Sequence, residues 1–275
     1  MSVIVPAHNE ERTIGRLLHA LCAGDPDGAL EIIVVCNGCS DDTAGAARAV
    51  SGRITVLEIS TASKVAALNA GDAATQVFPR AYVDADTEVS AQALLALAEP
   101  LDRPGVVLTA APRMVVATDG ASVLSRMYHA VWRQTPYVRS GPIGCGVYVL
   151  SEAARARFDQ FPAVIADDLY VERLAGEEHR LIDPDHTFTF HAPRTIEGLL
   201  SRMTRATLGN LQLQAVYGME PGTGSPRGLL ANIAPRPWLW PALVVYVAIR
   251  ARAERRARQR LEAGEFSWGR DTTTR

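Results

Sequence analysis

The chain has 275 residues, is 48% apolar and carries a formal charge of -2. That is length enough for a substantial core, with no overall basic field to attract nucleic acid. Its cysteines, Cys22, Cys36, Cys39 and Cys145, make no dense disulfide pattern, and Cys36-x-x-Cys39 lacks the second pair a closed zinc site needs. Reduced cytosolic thiols are the expectation, and with them a cytoplasmic location.

In chain order, "SVIVPA" (2–7) is a β-branched run ended by Pro6 and reads as a strand. Its lead "MSVIVPAHNEE" has no basic start and too short an apolar run for a secretory signal. "NEERTIGRLLHALCAG" (9–24) puts Ile14, Leu17, Leu18 and Leu21 at i, i+3, i+4 and i+7, a helix face with Asn9 as N-cap and Gly24 as stop. "LEIIVVCNG" (30–38) is apolar throughout, as in a strand buried on both faces of a parallel sheet. "SDDTAGAARAV" (40–50) reads as a helix with Ser40 as N-cap and Asp41 and Asp42 in its first turn. "RITVLEI" (53–59) is a third strand, "SKVAALNAGDAA" (63–74) a helix and "RAYVDAD" (80–86) a fourth strand. "SAQALLALAEPL" (90–101) is a helix ended near Pro100, and "GVVLTAAPRMVV" (105–116) is strand-like.

Strands alternating with helices predict an α/β fold, Rossmann-like, with a mostly parallel central sheet flanked by helices. Ligands of such sheets bind at the carboxyl ends of the strands. Three polar loops stand at those ends: "AHNE", "CNGCSDD" and "DADTE". Neither a G-x-x-x-x-G-K-[ST] nor a G-x-G-x-x-G stretch is present, which argues against an ATPase and a dinucleotide enzyme.

Asp84-x-Asp86 is the most informative of these. In a strand, residues i and i+2 point the same way, so two carboxylates there call for a cation. Oxygen ligands of this kind suit Mg2+ or Mn2+ bridging to substrate phosphates. The competing reading is a solvated strand end with Asp86 capping the next helix.

Together with its neighbours, the pair resembles the family 2 glycosyltransferases of GT-A fold. "VIVPAHNE" looks like their first-strand nucleotide motif, "CNGCSDDT" like their loop and helix start, and "SKVAALNAG" like their K-x-x-A-L-N-x-G helix. "VDADTEV" matches their D-x-D, "GCGVYVL" resembles their acceptor-side glycine turn, and "IADDLYVERL" their E-D segment. The resemblance implies that Pro6, Ala7 and Glu10 hold the nucleoside, with Glu10 on the ribose hydroxyls and Asn37 near the base. It puts Lys64 at the donor phosphate or sugar, Asp84 at the ribose, and Asp86 at the metal-bound diphosphate. Asp168 falls at the position of the catalytic base, and a single base of this kind implies inversion. His191 falls near a metal-ligand histidine, and is equally readable as an ordinary strand-end residue. Arg202 and Arg205 sit where processive members carry Q-x-x-R-W. The Gln and Trp are absent, which favours transfer of a single sugar and leaves either arginine to meet the diphosphate.

The expected organisation is a catalytic domain over 1–220, with a nucleotide-sugar half at 1–88 and an acceptor half at 89–220. A linker and helical tail follow at 221–275, the linker centred on "PGTGSPRG" (221–228). Tyr128, His129, Trp132 and Arg133 in the acceptor half either bind acceptor or pack a helix. In the tail, "PWLWPALVVYVAI" (237–249) precedes six arginines in "RARAERRARQR". It falls short of the roughly 20 apolar residues of a spanning helix and has the composition of an interfacial anchor on a cytoplasmic membrane face. The expected partners are a nucleotide-diphosphate sugar, a hydroxyl acceptor that is lipid-linked or small, and a membrane surface, with no nucleic acid. A nucleotidyltransferase, and a non-catalytic nucleotide-sugar-binding or membrane scaffold protein, are the alternatives.

Overall fold

The structure is a computed structural model and describes residues 1–103, 105, 107–219 and 225–264. The first half runs β1 (Ser2–Ala7), α1 (Ile14–Ala23), β2 (Glu31–Asn37), α2 (Thr43–Val50), β3 (Thr55–Ile59), α3 (Lys64–Ala73) and β4 (Arg80–Val83). Then come β5 (Glu88–Val89), α4 (Ala91–Leu95), α5 (Ala98–Asp102), β6 (Thr109–Ala117), α6 (Val123–Trp132), α7 (Pro136–Arg139), β7 (Val147–Leu150) and α8 (Glu152–Arg155). The last are α9 (Asp167–Ala175), β8 (Arg180–His191), α10 (Ile196–Tyr217), α11 (Pro226–Ile233) and α12 (Trp240–Glu262).

The chain divides into two compact units. The first comprises Met1–Val115, Ile143–Ala163 and Val171–Phe190. The second comprises Val116–Pro142, Val164–Tyr170 and His191–Arg275.

The sheet has the order β3-β2-β1-β4-β7-β6-β8-β5. The expected parallel part is β3-β2-β1-β4, where each strand returns through a helix. Beyond it β7 pairs antiparallel with β4 and β6, and β8 pairs antiparallel with β5, so the sheet is mixed. Val3, Ile4, Val5, Val34 and Val35 are wholly buried, as their unbroken apolar runs require. On one face α3 closes on β1, and Gly71 is the reason it can: a Cβ there would lie 2.5 Å from Ile4 Cγ2.

Several local expectations are corrected. The N-cap of α1 is Thr13, not Asn9. Asn9 takes a left-handed φ of 53° and uses Oδ1 to accept from the Ser40 N–H at 2.7 Å, tying the first loop to the second. The N-cap of α2 is Asp42, not Ser40, with its carboxylate accepting from Gly45 N–H at 3.0 Å. The single helix expected over 90–101 is two short ones, and Pro100 lies inside the first turn of α5, where its missing N–H costs nothing. Of the expected linker 221–228, residues 221–224 lie outside the described residues, while Pro226 already begins α11 on the Ser225 cap.

The second unit is built on α6, α10 and α12. Tyr128, Leu199, Leu200, Met203, Ile249 and Ala253 form its core, and Tyr128 stacks on Tyr246 at 5.0 Å. Of the four residues weighed as acceptor contacts, Tyr128 and His129 are therefore packing residues. His129 is 1% exposed and its Nδ1 bonds to the Ser125 carbonyl at 2.7 Å. Burial, with Arg202 and Arg133 nearby, pushes the His129 imidazole down to about 4. In the unfolded chain it takes its proton near ~6.5. Between those two values the unfolded state binds a proton that the folded state refuses, so stability falls as pH is lowered through that window. The loss is expected to reach roughly 3 kcal/mol by pH ~4. Urea unfolding at neutral and mildly acidic pH measures it, and His129→Phe should flatten this component.

Candidate functional site

On the first unit, the site residues gather at the carboxyl ends of β1, β2 and β4. The end of β1 is held by β2: Asn37 Nδ2 donates to the Ala7 carbonyl at 2.8 Å, and Cys39 Sγ lies 3.6 Å from the same oxygen. Pro6 precedes Ala7 in this strand, and Ala7 is buried. The loop beyond is closed by side chains. Glu10 N–H donates to Thr43 Oγ1 at 2.8 Å, the Thr13 hydroxyl donates to the Glu10 carboxylate, and Asp41 accepts from Glu11 N–H at 3.2 Å. Burial raises the Asp41 pKa, but bonds from the Thr43 hydroxyl and the Glu11 and Thr43 N–H groups outweigh it and hold the carboxyl below its usual range. Asp41 and Asp42 thus order the loop and helix start. Glu10 and Asn37 are buried, at 5% and 3% exposure, with Glu10 turned onto Thr13.

β4 stops at Val83, so Asp84 and Asp86 stand in a turn rather than in the strand expected over 80–86. The i, i+2 strand argument for their common direction does not apply. What fixes the turn is a set of backbone hydrogen bonds. Thr87 N–H closes the turn on the Asp84 carbonyl at 3.0 Å, and Asp84 N–H donates to the Gly146 carbonyl at 2.8 Å. Gly146 has φ 121°, and a Cβ on it would lie 2.4 Å from Thr87 Oγ1. Only glycine lets the 144–147 chain press against this turn. Lys64, the first residue of α3, reaches across to Asp84, Nζ to Oδ1 2.9 Å. Its side chain is only 15% exposed, so it is no solvated surface lysine. Asp86 is exposed beside this pair.

The motif helix has a second task. Asn69 bonds the backbone of Phe161 in both directions, Nδ2 to O at 3.1 Å and Oδ1 from N–H at 2.8 Å. Asp72 is buried and takes Arg80 at 2.5 Å, Tyr82 at 2.7 Å and Arg155 at 2.6 Å. Sequence reasoning matched this helix as a motif but gave neither residue a role. A charged residue on an otherwise apolar face, three after an asparagine, was the available signal.

On the second unit, α9 begins at Asp167, so Asp167 and Asp168 both lie in its first turn rather than Asp167 capping it. Asp167 is buried and Asp168 half-buried. The segment leading into them is held by α10. Ile165 N–H donates to Gln212 Oε1 at 2.9 Å, and Gly209 packs against Ala166, where a Cβ would lie 3.0 Å from that of Ala166. Arg202 and Arg205 are half-buried on the same helix, and His191 is the last residue of β8. A cavity of about 460 Å³ lined by Glu197, Ser201, Thr204, Arg256, Gln259, Arg260 and Ala263 contains none of the assigned residues.

Among the described residues no group of three or more His, Cys, Asp or Glu side chains is placed to hold a metal. Asp84, paired with Lys64, and the exposed Asp86 offer carboxylate oxygens of the kind Mg2+ or Mn2+ takes. Mg2+ is commonly held by one or two carboxylates, with substrate phosphates and waters completing its shell.

Residues 2–153 match the family model described as Glycosyl transferase family 2. Among solved structures, the chain is similar to a mannosyltransferase from Pyrobaculum calidifontis in complex with GDP-Man and Mn2+. It is 20% identical, with a TM-score of 0.60, covering 96% of this chain and 78% of that one. It is also similar to glucosyl-3-phosphoglycerate synthase from Mycobacterium tuberculosis with phosphoglyceric acid, at 18% identity and TM-score 0.56, covering 80% and 81%. S. aureus TarS 1-349 with UDP-GlcNAc matches at 14% identity and TM-score 0.54, covering 94% and 91%. At these identities the likeness is one of fold. No curated protein sequence matches the chain.

Proposed function

This chain belongs to glycosyl transferase family 2 and has the GT-A fold, and from that premise we propose that it moves a single hexose from a nucleotide-diphosphate sugar to an acceptor hydroxyl. The observation that carries the proposal is the turn of Asp84 and Asp86, pinned by Gly146 and paired with Lys64 at the strand edge that also holds Glu10 and Asn37. A cation and two carboxylates at the carboxyl edge of a parallel sheet suit a nucleoside diphosphate with its metal. The GDP-Man, Mn2+ and UDP-GlcNAc of structures with the same fold agree with this chemistry.

In this reading Pro6, Ala7, Glu10 and Asn37 hold the nucleoside, and Asp84 the ribose. Lys64 sits at the phosphate or sugar and releases Asp84 to do so. Asp86 would hold Mg2+ or Mn2+, and His191 stands at a metal-ligand position by resemblance. The ion supplies charge neutralisation on the departing diphosphate. Arg202 and Arg205 present guanidinium groups suited to phosphate. Asp168 takes the proton of the acceptor hydroxyl as that oxygen attacks the anomeric carbon, and attack opposite the leaving group inverts the centre. The acceptor is lipid-linked or a small molecule, met at a membrane surface. The cytoplasm is the proposed compartment, in keeping with four free cysteines.

Calorimetric titration with UDP, GDP and dTDP, each with Mn2+ and with EDTA, tests the donor site. One nucleotide should bind in a metal-dependent way and lose that binding in Asp86→Ala. No binding of any nucleotide under either condition would sink the reading. The anomeric configuration of the product, read by NMR, tests inversion.

A further inference from the structure

The second unit carries a surface its own core does not explain. Leu230 on α11, Trp238 in the turn before α12, and Trp240, Val244 and Val247 on α12 are exposed by 55%, 70%, 56%, 70% and 56%. Trp240, Val244, Val247, Ala251, Arg255 and Arg258 follow one another at helical spacing, so they share one face of α12. All six are exposed. The opposite face is Ala242, Ile249, Ala253 and Ala257, buried against the core of the unit. The exposed face is thus apolar and aromatic over its first two turns, and over its last two it carries Arg255 and Arg258 together with the exposed Glu254 and Glu262, Glu254 pairing Arg258 at 2.8 Å.

We propose that this face of α12, with Leu230 and Trp238, docks the chain flat on a lipid bilayer rich in anionic headgroups. The inference deepens the membrane-surface part of the reading above and stands independently of the transfer reaction. Three arguments select the bilayer. Tryptophans rimming an apolar strip have the composition of a membrane interface, where the ring is buried and the indole N–H stays wet. The helix as a whole carries six arginines against Glu254 and Glu262, a net positive charge that anionic headgroups complement, with Arg255 on the exposed face itself. The helix lies on the membrane rather than crossing it, because its other side is committed to protein packing. Among the described residues no helix is long and apolar enough to cross.

The test is sedimentation of the full chain with vesicles of phosphatidylcholine alone, or mixed with phosphatidylglycerol, at low and high salt. Binding should require the anionic lipid, weaken with salt, and fall about fivefold for Arg255→Ser and by less for Arg258→Ser, whose charge Glu254 already pairs. It should be lost in the double variant Trp238→Ala with Trp240→Ala, which by exposure leaves the core untouched. Nucleotide calorimetry on that variant checks that the catalytic domain is intact. Tryptophan emission should shift to the blue on adding anionic vesicles, and the shift should vanish in the double variant. Absence of binding to anionic vesicles at low salt overturns the proposal, as does equal binding by the double variant. A dimer in light scattering that the double variant abolishes, without vesicle binding, assigns the face to a second copy of the chain and likewise overturns it. Vesicle binding without nucleotide binding would leave the docking surface standing and remove the donor site.

Discussion

Asp168→Asn is expected to lower kcat by about 10²–10⁴ while leaving nucleotide-diphosphate binding unchanged. Asparagine keeps the shape of the side chain and removes its capacity to take a proton. Asp168 lies in the first turn of α9, with one carboxylate oxygen 2.8 Å from Leu169 N–H. That start is held by the Gln212 bond to Ile165 and by Gly209 beneath Ala166, so the substitution alters the chemistry of a fixed position. A base acts only as the acceptor loses its proton, so the loss should fall on kcat and kcat/KM together. Transfer assays and nucleotide calorimetry on the same protein separate the two effects. Turnover equal to the parent would remove Asp168 as the base. A parent chain that binds nucleotide but turns over no sugar would instead favour the non-catalytic reading.

The second large effect is structural. Asp72→Ala should destabilise the first unit by about 3–5 kcal/mol, with a fall in Tm of about 10 °C. Asp72 and Arg80 are both nearly inaccessible, and Asp72 is shared by Arg80, Tyr82 and Arg155. Removing the carboxylate leaves two guanidinium groups partnered only in part inside the protein. Burial first, and then the neighbouring Asp72 charge, hold the Tyr82 phenol well above its usual pKa, so it remains a donor into this network throughout the working range. Asp72→Asn, which keeps an acceptor but not the charge, should lose less. Denaturant unfolding of the three proteins makes the comparison, and a loss below about 1 kcal/mol would place Asp72 with ordinary surface pairs.

The sequence could not have shown why Asp72 matters. Its residues come from α3, β4 and the helix at 152–155, and only the antiparallel entry of β7 beside β4 carries Arg155 to them. The same holds for the turn of Asp84 and Asp86. The motif was legible as letters, but the strand ended at Val83, and the turn that carries the two carboxylates was fixed by a backbone bond to Gly146, far along the chain. Caps were misplaced by one to four residues because loop residues bonded across loops instead of to their own helices. Asn9 to Ser40 is the clear case.

By itself the sequence determined the strand and helix order of the first half, since unbroken β-branched runs and i, i+3, i+4 periodicity are properties of neighbouring residues. It determined the family through motifs that lie each within a few residues of one another. It also determined the composition of the tail, with its tryptophans and arginines. Only the tertiary structure decided that β7 and β6 extend the sheet by antiparallel pairing with β8 and β5 beyond them, that Lys64 meets Asp84, that Tyr128 and His129 are core, and which face of α12 is left uncovered. The physical reason is range: periodicity and capping act over one or two turns of chain, whereas pairing, burial and exposure depend on residues that folding brings from a hundred positions away.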